Sequence, residues 1–419
     1  MIRPVYTLIF CLLATGLAAD EAYREPTLAQ AQTFRNAWTI DNWDDGGPLT
    51  HYVFLNMSEF WPHSVIDRHG PVRAFERSDT NGAGDIVIDS SAGRMPLDDY
   101  VNEPTVDALL ILHRGRIAYE AYPRMHPWDK HLYMSVSKPF ASTLIGILAG
   151  RGRIDVDMPV DDYLPELEGS GWDGVSVLDV LDMASGIDCL QTLDGVYTNP
   201  ERCYYQYEAA LGWLPPTAAT PADVHAWIAA LDAGRPAGEA YEYTSVNTFV
   251  LRWLIERVTG LTYASAIERE IWHKTGAQAD ALIVAPKAGV PIAASGISST
   301  LRDLGRFGLL FTPSGRTQRD PVVSDRLLQS IREGGRPSLI RATRDAFRVN
   351  GERPLANSWQ WDWVMPDGDF YKGGYGGQGL YVSPARDLVI AFFGTLDAEG
   401  VSNELDDIAR QLAVSGRFD

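Results

Sequence analysis

Cysteine, lysine and long apolar runs are all scarce in this 419-residue chain, and each scarcity excludes something. Three cysteines cannot build a disulfide-dense scaffold or a four-thiolate metal cage. The eight histidines show no H-E-x-x-H or comparable ligand spacing, so no metal or other cofactor is expected. A G-x-S-x-G nucleophile elbow is absent too. No stretch approaches the roughly 18 apolar residues of a membrane span. Positive charge is also short. The chain has 36 Lys+Arg against 55 Asp+Glu, a formal net charge of -19, which argues against nucleic acid and anionic membrane surfaces as partners.

The N-terminus reads Met1-Ile2-Arg3-Pro4, an apolar run from Val5 to Leu17, then Ala18-Ala19 before Asp20. A basic start, a short apolar stretch and small residues make a secretory signal peptide, so residues 1–19 are set aside from the fold. A periplasmic or secreted location follows, with no membrane contact after cleavage. Cys11 falls in that run. The remaining pair, Cys189 and Cys203, is expected to form a disulfide closing a local loop in an oxidising compartment.

Residues 20–104 show few periodic runs and read as a segment wrapping the main domain at 105–419. Val106 to Leu112, a turn at Arg114-Gly115, then Arg116 to Tyr119 form a β-hairpin pattern. Residues 135–151 are small and apolar at helical spacing, stopping near Gly150. The region at about 150–290 is mostly helical. Near the C-terminus, Gly379 to Val382 and Leu388 to Phe393 bracket a Ser-Pro-Ala-Arg-Asp turn, and residues 403–413 read as a closing helix. Strands at both ends with helices between them predict an α+β protein, one antiparallel sheet flanked by helices.

Within this frame, Met134-Ser135-Val136-Ser137-Lys138 carries chemistry. Positions i and i+3 share a helix face, so the Ser135 hydroxyl should stand beside the Lys138 amine. Burial depresses a lysine's pKa, and a neutral amine can take the serine proton. Of the 36 basic residues only five are lysine (130, 138, 274, 287, 372), so elsewhere this chain uses arginine. A lysine in an apolar helix suggests a task that guanidinium cannot perform, since it does not deprotonate. Tyr243-Thr244-Ser245 precedes a second apolar helix; its phenol, held near cations, could serve as a base. Taken alone, that segment is better explained as a helix-capping loop, with Ser245 or Asn247 as the cap.

Together these residues resemble the first two motifs of the class C β-lactamase and penicillin-binding protein superfamily. Gly152 to Val160 with Tyr163-Leu164-Pro165, Leu178 to Gly186, and Ser295 to Leu304 resemble further stretches of that family in the same order. Ser245, in place of the asparagine of true class C enzymes, the long N-terminal segment and the Cys189/Cys203 loop are similar to the 6-aminohexanoate-dimer hydrolase and esterase branch. The resemblance implies a β-lactamase/transpeptidase-like three-layer sandwich.

Lys274-Thr275-Gly276 spells the family's third motif but follows a helix, away from any pocket-edging strand. The strand position falls instead on Lys372 to Gly379, where by resemblance Tyr375-Gly376-Gly377 replaces the usual basic triad. The amide of Gln378 is expected to pair with that of Ser135 as the oxyanion hole, and Ser245 to donate to a substrate carbonyl. The implied activity is acyl transfer from a small-molecule ester or linear amide to water, with Ser135, Lys138 and Tyr243 catalytic. A strand without its cation speaks against β-lactams. Alternatives from the same superfamily are a D-amino-acid or peptide amidase, a β-lactamase on cell-wall-type substrates, and a ligand sensor without turnover.

Overall fold

The computed structural model describes residues 23–78, 82–287, 289–317 and 321–419, so the expected signal peptide lies outside the described residues. Seven antiparallel strands form the central sheet, in the order Arg116–Ala121, Val106–His113, Leu388–Gly394, Gln378–Ser383, Phe370–Gly374, Trp361–Val364, Ala356–Ser358. The two ends of the chain meet where Val106–His113 pairs with Leu388–Gly394, Ile111 opposite Ile390. The Val106–His113 strand is buried at every position. Strand side chains alternate between faces, and here both faces are covered. Ala108, Leu110, Leu112, Val389, Ala391 and Phe393 enter one apolar cluster, while Leu109, Ile111, Ile390 and Phe392 enter a second.

Helices Lys138–Gly150 and Leu301–Leu309 supply the first cluster, and the C-terminal helix Leu405–Ala413 supplies the second. Helix, sheet, helix gives the expected three-layer α+β sandwich. Leu301–Leu309 lies hard on the sheet because Gly305 and Gly308 face it. A Cβ at Gly305 would stand 2.7 Å from the Leu110 side chain, and one at Gly308 2.6 Å from Val389. Alanine at either position would push the layers apart.

A smaller four-stranded sheet, ordered His63–Ile66, Ala281–Val284, Ile297–Ser299, His131–Leu132, sits beside the Ser135 segment. Its first strand comes from the N-terminal segment, which is more regular than its sequence suggests. Leu28–Ala37 is a helix opened by a Thr27/Gln30 capping box. Gly47–Leu55 is a helix with proline in its first turn. The latter, Gly-Pro-Leu-Thr-His-Tyr-Val-Phe-Leu, buries Thr50, Tyr52, Val53 and Phe54. A helix apolar on most sides presents no 3.6-residue stripe to detect.

Candidate active site

The Ser135 segment is fixed from both sides. Tyr133 N–H donates to the Ile297 carbonyl at 2.8 Å, and Ile297 N–H donates to Ser137 Oγ at 3.2 Å. Between them Met134–Ser137 makes one 3₁₀ turn that runs into the helix Lys138–Gly150. Met134 takes φ +47°, a left-handed conformation that costs an unbranched side chain roughly 1–2 kcal/mol and persists only when the surroundings impose it. The turn aims one side chain outward: from His131 to Gly146, Ser135 alone is not fully buried.

Lys138 is wholly buried, and its Nζ lies 3.0 Å from Ser135 Oγ, 3.0 Å from Ser245 Oγ and 3.2 Å from the Ala294 carbonyl; as a neutral amine it donates to the last two and accepts from the Ser135 hydroxyl. Burial, then the charge of Lys372, hold its pKa well below the ordinary lysine value. The amine is therefore poised to be neutral and to accept a proton. Ser245 opens the helix Ser245–Thr259, with Thr244 as its cap, and its hydroxyl donates to Gln191 Oε1 at 3.0 Å. The hydroxyl expected to meet a substrate carbonyl is thus spent between Lys138 and Gln191.

Tyr243 stands where the sequence put it, with two cations against it. Lys138 Nζ lies 5.0 Å and Lys372 Nζ 4.7 Å from its ring centroid. Lys372 Nζ also donates to the Tyr243 hydroxyl at 3.1 Å. The phenol is nonetheless not drawn towards ionisation. Burial, then the Asp362 carboxylate, push its pKa well above the ordinary value, against a lowering hydrogen bond with Ser135. Burial and Asp362 thus favour the neutral phenol and oppose the ionisation that two neighbouring cations would promote.

The third motif requires a correction. Tyr375, Gly376 and Gly377 are a turn, not a strand, closing the hairpin between Phe370–Gly374 and Gln378–Ser383. Gly377 N–H donates to the Gly374 carbonyl at 3.2 Å across Gly376, whose φ of +86° suits glycine. The strand that edges the site carries Lys372-Gly373-Gly374, so its cation is present. A Cβ at Gly374 would stand 2.6 Å from the Tyr133 carbonyl and 3.1 Å from Met134 Cβ, the close approach that glycine permits beside Ser135. The Gln378 side chain is buried, donating to the carbonyls of Tyr375 at 3.1 Å and Gly394 at 2.6 Å. Lys274, by contrast, pairs with Glu270 at 3.1 Å on another face.

Ser135 and Ser245 open on a cavity of about 220 Å³ walled by Trp43, Asp44, Gln191, Tyr197, Glu208 and Tyr375, among others. Glu208 is buried, with one oxygen accepting from Tyr204 at 2.5 Å and the other without a partner, and burial pushes its pKa up to about 7. Burial likewise raises Asp44 to about 6. The disulfide Cys189–Cys203 is present and anchors the loop that delivers Gln191 and Tyr197 to this wall. A larger cavity, about 660 Å³, is lined by Tyr243, Asp362, Arg344, Tyr371, Gly374 and Asn403, among others. Trp43, Asp44, Gln191, Glu208, Asp362 and Lys372 went unnoticed as site residues. Only Lys372 had a usable signal, being one of five lysines.

Comparison with known proteins shows the family and the fold. Residues 103–415 match the Beta-lactamase family model. The 6-aminohexanoate-dimer hydrolase of Paenarthrobacter ureafaciens is 33% identical over 360 residues, covering 84% of this chain and 86% of that one. A Bacillus anthracis protein described as a 6-aminohexanoate-dimer hydrolase superposes with a TM-score of 0.72 at 23% identity, over 91% of this chain and 97% of that one. EstCE1, a hydrolase with promiscuous acyltransferase activity, superposes with a TM-score of 0.58 at 15% identity, over 75% of this chain and 96% of that one.

Proposed function

The chain belongs to the β-lactamase family and is a hydrolase of that fold, related to 6-aminohexanoate-dimer hydrolase; from that premise we propose that it cleaves carboxylic esters or small linear amides through an acyl-enzyme on Ser135. The observation that carries the proposal is the buried Lys138 amine, 3.0 Å from the one outward-facing hydroxyl of its segment. Ser135 Oγ attacks the carbonyl carbon and its proton passes to Lys138 Nζ, the better base of the two candidates because Tyr243 is held as a phenol. The backbone N–H of Ser135 and an amide at the Gly374–Gln378 hairpin end receive the oxyanion; with the motif on Lys372-Gly373-Gly374, the residue that follows it is Tyr375, which replaces the expected Gln378 in this role. The proton returns to the leaving oxygen or nitrogen by way of Lys138 and Tyr243. Water then attacks the acyl carbon, releasing the acid and restoring the Ser135 hydroxyl.

Acidic groups in the wall of the smaller cavity, Asp44 and Glu208, favour an acyl part that is uncharged or bears an amine over one bearing a carboxylate. The name of the Paenarthrobacter relative points to the same class, an amide between aminoalkanoate units. Export is part of the proposal; it rests on the sequence of residues 1–19 and on the Cys189–Cys203 bond. One panel tests the substrate class: p-nitrophenyl butyrate, a linear aminohexanoate dimer, a D-alanyl peptide and nitrocefin, each with wild type and Ser135→Ala. The ester or the linear amide should show the highest kcat/KM. Nitrocefin or the D-alanyl peptide in first place would overturn this choice, and no turnover of any compound would favour a ligand sensor.

A further inference from the structure

The strand register places an acid where the proposed reaction has no use for one. Trp363 pairs with Tyr371 and Val364 with Phe370, so Asp362 stands directly across from Lys372 on the neighbouring antiparallel strand. Both Asp362 oxygens are committed. Oδ1 meets Lys372 Nζ at 2.5 Å, and Oδ2 accepts from Gly373 N–H at 2.9 Å. The Lys372 side chain is 1% exposed, and its remaining recorded partner is the Tyr243 hydroxyl. Two of the three ammonium N–H groups are thus taken, and the adjacent backbone-anchored carboxylate offsets the positive charge that a ligand anion would otherwise meet.

We propose that Asp362 is a positioning and specificity residue, which holds the Lys372 ammonium against the Tyr243 hydroxyl and neutralises it, so that the site turns away substrates carrying a carboxylate beside the scissile bond. The proposal rests on the acyl-enzyme reading above and sharpens its substrate class. With Lys138 neutral, the charges of Lys372 and Asp362 cancel at the reacting centre. The larger cavity, which Asp362 lines, keeps one further cation, Arg344, but this is exposed and stacked at 4.7 Å on Phe347 and 5.6 Å on Tyr241. The other charged or titratable groups facing this pair are Tyr241, Tyr243, Tyr371, Glu242 and Asp406, none of them a cation, and Lys138, whose amine burial and Lys372 hold towards the neutral form.

A matched pair of substrates reads the effect. m-Carboxyphenyl butyrate and its methyl ester, m-(methoxycarbonyl)phenyl butyrate, share one scissile bond and differ in one charge. Wild type should favour the methyl ester by kcat/KM. Asp362→Asn keeps the shape and the acceptor for Gly373 N–H but removes the neutralising charge. It should move the ratio towards the carboxylate by about tenfold or more, as expected for a freed charge a few ångströms away in a poorly screened site. A loss of activity equal for both substrates, with the ratio unchanged, would mean a purely structural role and overturn the proposal. Wild type alone gives a second test that does not need the variant to fold. 3-Carboxyphenylboronic acid should inhibit no better than phenylboronic acid; tighter inhibition by tenfold would show a free cation and refute the neutralised pair. Inhibition by neither boronate, with activity retained in Ser135→Ala, would instead bring down the acyl-enzyme reading, and this inference with it.

Discussion

Gly374→Ala tests the packing that places the glycine strand beside Ser135. The added Cβ would meet the Tyr133 carbonyl oxygen at 2.6 Å, Gln378 Cβ at 3.1 Å and Met134 Cβ at 3.1 Å. Two of these are backbone or backbone-proximal atoms of the nucleophile turn, which Tyr133 N–H ties to Ile297, so no flexible side chain can yield. The strand and the turn must separate by roughly half an ångström, in an interior packed without slack. Overpacking of this kind costs about 1–3 kcal/mol of stability. Displacing reacting groups by up to 1 Å costs up to about 100-fold in rate, so kcat should fall roughly ten- to a hundredfold. Gly374 carries no positive φ, so backbone strain does not confuse the result. Steady-state hydrolysis of p-nitrophenyl butyrate beside a thermal melt measures both quantities. A variant with wild-type kcat and an unshifted melting point would refute the close approach, and with it the use of this hairpin's amides on the reacting carbonyl.

Cys189→Ser with Cys203→Ser opens a loop of 14-residue separation and should cost about 3 kcal/mol in the chain-entropy model, read as a lower Tm, with dithiothreitol having the same effect on wild type. Glu208→Gln should stabilise the protein more at pH 8 than at pH 5. A carboxyl raised from 4.5 to about 7 holds its proton more tightly when folded, so its contribution to stability falls as pH rises across that interval and stays low above it. The difference is at most about 3 kcal/mol, and Tm against pH for the two proteins should converge below pH 5; parallel curves would show that Glu208 is ionised in the fold.

The parts of the site legible in the sequence are those that local spacing determines. Ser135 and Lys138 lie one helical turn apart, and their 3.0 Å contact needs nothing beyond that geometry. Two inner strands, Val106–His113 and Leu388–Gly394, announce themselves as apolar runs, the first interrupted only by Asp107 and closed by His113. What sequence reading missed depends on register and on distant chain. Lys372 was passed over because the strand motif was placed three residues late, on the turn Tyr375-Gly376-Gly377, where glycines mark a hairpin reversal. Asp362 gains its role only through the cross-strand pairing with Lys372, which no local pattern encodes. Trp43 and Asp44 reach the cavity from a segment whose helix is buried on several sides and so lacks periodicity. The two cations beside Tyr243 are visible as lysines in the sequence, whereas the burial and the Asp362 charge that oppose its ionisation arise only in the fold.

The central claim is that Ser135 becomes acylated. Wild type and Ser135→Ala, each treated with a fluorophosphonate and digested, give peptides whose masses locate the adduct. The account predicts one phosphonyl group on Ser135 of wild type, loss of ester hydrolysis in step with labelling, and no adduct on a folded Ser135→Ala protein. An adduct on any other residue, or esterase activity that survives in Ser135→Ala, would contradict it.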